Sequence, residues 1–228
     1  MKRTKIDDRT LPTYTRGEEV FNMTSHIVGA GLGVIALISC IIVSCKHGGG
    51  LRLLASIIYG ISLILLYTIS SIYHGLKTDT PKLLRAKKIM QILDHCSIYV
   101  LIAGSYTPFA LVAFMKYDVA FAWGLFGAIW GLAAIGIILD SIDLRMFRVL
   151  TKIIYFFMGW FIIFRINVLP SLITWPGTIL LALGGVVYSV GAIFFALGTK
   201  MKWMHSVFHL FIIAASILQF FSIILYVL

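Results

Sequence analysis

Residues 203–228 read WMHSVFHLFIIAASILQFFSIILYVL and contain no lysine, arginine, aspartate or glutamate. An apolar run of about 20 residues is long enough to cross the roughly 30 Å hydrocarbon core of a bilayer as a helix. Two histidines, His205 and His209, lie four residues apart where this run begins. Because residues at i and i+4 share one face of a helix, both imidazoles are predicted to point in the same direction.

Two interpretations of this histidine pair are open at this point. Ionisable side chains at the edge of the lipid are costly and often mark functional sites, and two neutral imidazoles on one face offer a geometry that zinc uses. Alternatively, both are interfacial histidines that lipid headgroups solvate. Ligands converging from other parts of the chain decide between the two.

The composition of the whole chain indicates an integral membrane protein. Of its 228 residues, 60% are hydrophobic and only 12% are charged, and the mean hydropathy is +0.99. Soluble domains carry about twice that share of charged residues, roughly 25%. Since backbone polar groups in lipid must be paired within the chain, the apolar runs are predicted to be helices. We therefore predict an all-α, polytopic bundle of seven spans, at approximately 26–45, 53–73, 92–114, 120–140, 153–169, 178–199 and 205–227.

The predicted spans divide the chain into two regions of unequal length. Residues 1–25 are polar and are expected to form a flexible tail that runs into an interfacial segment. Residues 26–228 are expected to form a single transmembrane domain, because the connections between spans are short. The first span and its polar tail are too long for a convincing cleaved signal peptide.

The formal net charge of +10 is distributed unequally between the loops. The amino-terminal tail and the loops at 77–88, 145–152 and 200–202 carry most of the basic residues and fall on one side, whereas Lys46, Arg52 and Lys116 fall on the other. By the positive-inside rule, the amino terminus is cytoplasmic and the carboxyl terminus is outside. Anionic lipid headgroups are the expected partners of this basic surface, and nucleic acid is not required to explain it.

This orientation brings polar residues from three distant segments to one depth. The ends of spans two, three and seven that face the cytoplasm carry Ser70, His74, Asp94, His95, His205 and His209. Any three of these histidines, with a carboxylate at the same level, are the ingredients of a catalytic-type zinc site, in which three nitrogen ligands leave a fourth position for water. Chance clustering is the alternative, since helix ends tolerate polar groups better than helix centres do.

These residues resemble the pattern of a known family. Ser70-x-x-x-His74, Asp94 and His205-x-x-x-His209, together with the segments GEEVFNMTSHIVG and AGSYTPF, are similar to the bacterial hemolysin III group. That group is related to the adiponectin and progestin receptors and, more distantly, to alkaline ceramidases. The resemblance covers essentially the whole chain and implies a multi-pass protein of the cell membrane with seven helices.

The resemblance also implies a role for each polar residue. His74, His205 and His209 would bind Zn²⁺ near the cytoplasmic side, Asp94 would hold the water that the zinc activates, and Ser70 would lie beside the site. Such zinc lowers the pKa of its water towards about 7. Asp94 could then accept a proton from this water or, alternatively, only hold a histidine in position through a hydrogen bond. Ser70 could donate to an oxyanion or bond its own helix backbone.

Three functions remain open on these grounds. The first is a zinc-dependent hydrolase that cleaves a lipid amide or ester entering from the cytoplasmic leaflet. The second is a cytolytic pore, as the family name implies for some members; the spans lack a continuous polar stripe, so a pore would need an oligomer or a large rearrangement. The third is a metal-dependent membrane sensor without catalysis.

Three further ionisable residues lie at or near the predicted cytoplasmic face. His26 and His95 share the depth of the candidate site and are interpreted as structural residues or as partners of the ligands. Asp140 closes the fourth span and is expected to be a solvated helix end, although it is a spare carboxylate for the site.

Overall fold

The computed structural model of the protein describes residues 3–228 and, within that range, contains helices and no strands. Met1 and Lys2, which belong to the predicted polar tail, lie outside the described residues. The α-helices are α1 (Arg16–His47), α2 (Gly50–Gly75), α3 (Pro81–Pro108), α4 (Val119–Asp143), α5 (Arg148–Trp160), α6 (Leu169–Leu197) and α7 (Met204–Tyr226). A π-helical turn (Phe109–Ala113) extends α3, and 3₁₀ turns cover Ile6–Asp8, Phe114–Lys116 and Phe161–Arg165.

Six of these helices are long and apolar enough to cross a membrane, which confirms the prediction of an all-α, polytopic membrane protein. The exception is α5, which has 13 residues before it tightens into a 3₁₀ turn. An α-helix of that length rises only about 20 Å. The predicted count of seven spans therefore stays a prediction.

The first helix begins at Arg16, ten residues before the predicted span. Thr15 and Glu18 form a capping box: the Glu18 carboxylate accepts the Thr15 N–H at 2.8 Å, and the Thr15 hydroxyl accepts the Glu18 N–H at 3.3 Å. This reciprocal pairing satisfies backbone donors that a helix start leaves free. Hydropathy does not predict this start, because the added turns are polar and precede the apolar run.

The break after α5 is stabilised by a tyrosine from α3. The Tyr106 hydroxyl donates to the carbonyl oxygen of Gly159 at 3.1 Å and accepts the N–H of Ile162 at 3.0 Å. Both backbone groups flank the point where the α-helix ends at Trp160. Since irregular backbone at membrane depth needs partners within the protein, Tyr106 makes the break tolerable there.

The sixth helix also contains a break near its start. It begins at Leu169 in a short turn, nine residues before the predicted span, and loses helical geometry at Ile173 and Thr174. Thr174 adopts φ 62°, in the left-handed region that is unfavourable for a β-branched residue. Pro176 follows two residues later and cannot donate to the preceding turn, which accounts for the kink.

The packing order of the helices places α1 between two partners. It packs closely along α2 and also contacts α7, while α6 packs along α7. The contact with α2 is tightest at Gly60, where an added Cβ would lie 2.7 Å from the Cα of Leu37. The first turns of α1 therefore lie beside the last turn of α2 and the first turn of α7.

Replacing Gly60 with alanine is expected to destabilise the bundle. The backbone at Leu37 cannot move aside as a flexible side chain would, and such overpacking costs about 1–3 kcal/mol. Thermal unfolding in detergent should show a lower Tm for Gly60→Ala. Gly31→Ala is the matched control, because its added Cβ would meet no atom of another described element within 4 Å; alanine is the better helix former there. Equal Tm values for the two variants would contradict this account of the α1–α2 contact.

Candidate metal centre

Three buried histidines meet where α2 ends and α7 begins. His74 lies in the last turn of α2, and His205 and His209 lie in the first two turns of α7. One ring nitrogen from each lies within 4.8 Å of the other two. The ring centroids are also nearly equidistant, at 4.8, 5.0 and 5.3 Å. The structure thus brings together three of the residues that the sequence places at one depth.

The donor atoms of this cluster fit a single metal ion. The Nε2 atoms of His205 and His209 are 3.1 Å apart. Two nitrogens bound about 2.05 Å from one tetrahedral ion would be separated by roughly 3.4 Å. The Nε2 of His74 is buried and has no hydrogen-bond partner among residues 3–228. A cation among the three rings would supply the partner that this nitrogen lacks, and three neutral imidazoles suit Zn²⁺.

The ring of His74 is oriented by a carboxylate from α1. Its Nδ1 lies 2.6 Å from Oε2 of Glu19, and because a carboxylate only accepts, this nitrogen carries the proton. The lone pair of Nε2 is then free and directed towards His205 and His209. Carboxylate partners of this kind fix the tautomer of metal-binding histidines and raise their basicity.

The same carboxylate is paired with a buried lysine. Lys87 of α3 donates to Oε1 of Glu19 at 2.6 Å and to the carbonyl oxygen of Leu76 at 3.0 Å. The Glu19 carboxylate and the Lys87 ammonium therefore compensate each other, as a buried lysine requires. Glu19 therefore links α1, α2 and α3 at the centre.

The preceding residue, Glu18, holds the start of α7. In addition to capping α1, its Oε1 accepts the N–H of Trp203 at 2.6 Å. Trp203 has φ 65° and directly precedes α7, two residues before His205. Two neighbouring glutamates in the first turn of α1 thus position the two helices that carry the histidines.

Sequence reasoning missed both glutamates and Lys87, although GEEVFNMTSHIVG contains Glu18 and Glu19. The available signal was the spacing of Thr15 and Glu18, which is that of a capping box and predicts a helix start ahead of the apolar run.

His26 lies against the centre and is not one of its three clustered donors. Its ring stacks on His209 with centroids 3.7 Å apart and planes 19° apart, and its other side meets the ring of Tyr67 edge-on. Both ring nitrogens of His26 and both amide atoms of Asn22 are buried without a partner in the described chain. His26 therefore supports His209 by packing and adds polar surface beside it.

The two remaining candidate residues lie at the edge of the cluster. The side chain of Asp94 is adjacent to the Ser70 hydroxyl and within electrostatic reach of His74. Its carboxylate oxygens are not among the donor atoms that lie within 4.8 Å of one another. The arrangement places Asp94 near His74 and leaves it outside the set of three clustered donors.

Two other predicted positions are not among the three clustered donors. The Asp140 carboxylate is buried, with 1% exposure, and the Tyr155 hydroxyl lies 3.0 Å from its Oδ2, so the expectation of a solvated helix end is wrong. The Tyr155 hydroxyl also lies 2.9 Å from the backbone carbonyl oxygen of His95. The His95 ring packs near Phe195. α5 supplies Tyr155, which covers Asp140 at the end of α4.

Comparisons with known proteins agree with the pattern of polar residues. A family model described as "Haemolysin-III related" matches residues 14–220, a range that contains every residue of the centre. The chain belongs to this family. The resemblance drawn from the sequence is therefore confirmed.

Individual relatives support the same assignment. "Hemolysin-3" of Bacillus cereus is 41% identical over 211 residues, which are 92% of each chain. "Hemolysin-3 homolog" of Bacillus subtilis (strain 168) is 35% identical over 213 residues, covering 93% of this chain and 96% of its own. "Monocyte to macrophage differentiation factor" of Homo sapiens is 26% identical over 173 residues, covering 73% of this chain and 67% of its own.

Replacing Glu19 with glutamine tests the orientation of His74. The amide removes the negative charge of Glu19 and leaves Lys87 uncompensated. Because an amide can donate as well as accept, it no longer requires a proton on the Nδ1 of His74. Loss of such a partner typically weakens metal binding by about 10–100-fold. Competition with a chromophoric chelator should show this loss for Zn²⁺. Asp79→Asn, an exposed carboxylate in the loop before α3, is the control; an unchanged affinity in Glu19→Gln would refute the orienting role.

Proposed function

We propose that the protein is a zinc-dependent hydrolase that cleaves an amide or ester bond of a membrane lipid. The observation that carries this proposal is the convergence of three buried imidazole nitrogens, from His74, His205 and His209, with the carboxylate of Asp94 within electrostatic reach of His74. Three nitrogens with one open position are typical of catalytic zinc sites, whereas structural sites are usually closed by four protein ligands.

In this proposal each ligand binds through one ring nitrogen. His205 and His209 bind through Nε2, which already point towards each other, and His74 binds through the Nε2 that its bond to Glu19 leaves unprotonated. When bound, Zn²⁺ polarises a carbonyl oxygen and makes water a better nucleophile at neutral pH.

Asp94 and Ser70 perform the proton and charge steps. The Asp94 carboxylate orients the attacking water, accepts its proton as the carbonyl is attacked and returns a proton to the leaving group. The Ser70 hydroxyl, adjacent to Asp94, donates a hydrogen bond to the negative charge that develops on the carbonyl oxygen.

The surroundings of the centre favour a lipid substrate. Ile72 and Leu210 lie beside His74 and His209 in sequence, and their apolar side chains are exposed on the outside of the bundle. At membrane depth that surface contacts acyl chains. A lipid with an amide or ester next to its headgroup can therefore place its carbonyl at the centre while its chains stay in the bilayer.

The proposed topology is a seven-span bundle in the plasma membrane with its amino terminus in the cytoplasm. Together, α5 and its 3₁₀ extension rise about 30 Å, which matches a bilayer core. The loop charges support this orientation, in which the histidine centre would lie at the cytoplasmic face.

Reporter fusions test this topology. A reporter that works only after translocation should be active after Leu228, whereas one that works only in the cytoplasm should be active at the amino terminus. A fusion in the loop between α5 and α6 should behave as the carboxyl-terminal one does, since both are outside in a seven-span chain. Termini on the same side would refute the odd number of spans.

The function is tested by metal content and hydrolysis in the same preparation. Wild type should hold about one zinc per chain and should cleave ceramide-like amides or phospholipid esters in nanodiscs. His209→Ala should lose the zinc, because removing one of three protein ligands costs most of the affinity. Asp94→Asn should keep the zinc and lose hydrolysis by roughly 10²–10⁴-fold, as expected for a general base.

Two alternative functions give different results in this experiment. A metal-dependent sensor would bind zinc and cleave no lipid, while Asp94→Asn would still impair the cellular phenotype. Lysis is the second alternative, because the relative that is 41% identical is named "Hemolysin-3". A lytic protein would release vesicle contents equally in wild type and Asp94→Asn, with no lipid cleaved.

A further inference from the structure

Residues 3–15, here called the N-terminal strap, pack across the helix ends on the side of the histidine centre. The N–H of Thr4 donates to Oδ2 of Asp143 at 2.8 Å, and Nη2 of Arg9 donates to the carbonyl oxygen of Ile142 at 2.8 Å. A cation at the carboxyl end of a helix also interacts favourably with the helix dipole. The strap is thus attached to the end of α4, rather than being the flexible tail that its composition predicts.

A second attachment joins the strap to α3. The ammonium of Lys88 donates to the carbonyl oxygen of Asp7 at 2.6 Å, while the guanidinium of Arg85 pairs with the carboxylate of Asp7 at 3.7 Å. Arg85 and Asp7 are both largely exposed, so their ion pair contributes little. The bond from buried Lys88 is the stronger attachment of the two.

The end of the strap lies on the histidine centre. The ring of Tyr14 stacks on His205, with centroids 5.0 Å apart and planes 27° apart, and lies 5.6 Å from the ring of His74. One residue later Thr15 caps α1, so the position of Tyr14 is fixed on both sides. Tyr14 therefore covers two of the three histidines on the side from which the strap arrives.

The phenol of Tyr14 lies within electrostatic reach of the carboxylates of Asp94, Glu19 and Glu18. Burial raises the pKa of this phenol, and the nearby carboxylate of Asp94 raises it further. A phenol with an ordinary pKa of about 10 is in any case protonated at neutral pH, so the ring is uncharged. The ring therefore covers the histidines without adding charge.

We propose that Tyr14 closes the histidine centre towards the aqueous phase and that the N-terminal strap is the gate through which metal ions and water enter. This inference deepens the proposed function, on which its metal readout rests. The gate opens when the strap detaches from α3 and α4, which carries the Tyr14 ring away from His205 and His74.

The energetics of the closed strap favour reversible opening. Arg9 is buried at 5% exposure, yet its Nε and Nη1 atoms have no hydrogen-bond partner in the part of the chain that the structure describes. Unpaired buried donors are costly, and opening returns them to water. Local segments held by few contacts open at a small fraction of the global unfolding free energy. Apart from Arg9, the strap residues are exposed or half-buried, so the strap combines a defined closed position with little buried surface to expose on release.

The test is the rate at which a chelator removes Zn²⁺ from the full-length protein in nanodiscs. Tyr14→Ala should raise that rate by at least roughly tenfold, since the closed state loses its covering ring. Tyr14→Phe keeps the ring and should release zinc at the wild-type rate. Tyr117→Ala, an exposed tyrosine between α3 and α4 at their other end, is the control for loss of an aromatic side chain.

A second variant opens the strap without touching the histidines. Lys88→Met removes the bond to the Asp7 carbonyl oxygen and keeps most of the side-chain volume. Zinc release should again rise by roughly tenfold, the effect of losing one charge-assisted hydrogen bond on an opening equilibrium. If Tyr14→Ala accelerates release while Lys88→Met does not, the strap is not the gate and the proposal is overturned.

A metal-free readout separates this proposal from the proposed function. Diethyl pyrocarbonate modification of His74 and His205, followed by mass spectrometry of metal-stripped protein, should be faster in Tyr14→Ala and Lys88→Met than in wild type. If wild type takes up no zinc and the modification rates still differ in this way, the zinc hydrolase fails and the gate stands. Equal modification and release rates in wild type and Tyr14→Ala would overturn the gate.

Discussion

The hydrogen bond between the Nδ1 of His74 and the carboxylate of Glu19 is the interaction on which the centre depends. It determines which nitrogen of His74 carries the proton, and it compensates the buried charge of Lys87. Without it, His74 could present a proton to the other histidines, and Lys87 would be buried without a counter-charge. The start of α1 follows from this constraint, since Glu19 must belong to a helix that reaches the end of α2.

Much of the bundle follows from the sequence because the relevant signals depend on residue type alone. Apolar length identifies the spans, and the i, i+4 spacing places His205 and His209 on one face. In the orientation that the loop charges predict, His74 and Asp94 lie at the same depth. The roles of Glu18 and Glu19 do not follow in this way. Two adjacent acids in a polar tail have the composition of solvated charges, and their burial depends on where α1 begins.

The breaks in the helices and the burial of Asp140 could not be predicted, for a related reason. A hydrophobic segment does not show where its helix is interrupted when the missing backbone partners come from another helix, as Tyr106 provides for α5. Asp140 closes an apolar segment, which is typical of a solvated helix end. It is buried because Tyr155, on the following helix, covers it. Each of these features is a property of a tertiary contact.

The distribution of charge around the centre gives an independent argument for a cation. Glu19 and Lys87 compensate each other, and the three clustered imidazoles are neutral when they offer lone pairs. Asp94 lies beside the Ser70 hydroxyl and within electrostatic reach of His74 and His95, which supply positive charge only when they are protonated. A carboxylate at membrane depth is costly without a nearby positive charge. A divalent cation held by three neutral nitrogens would supply that charge, and Asp94 would then be retained as the anion needed to handle a proton.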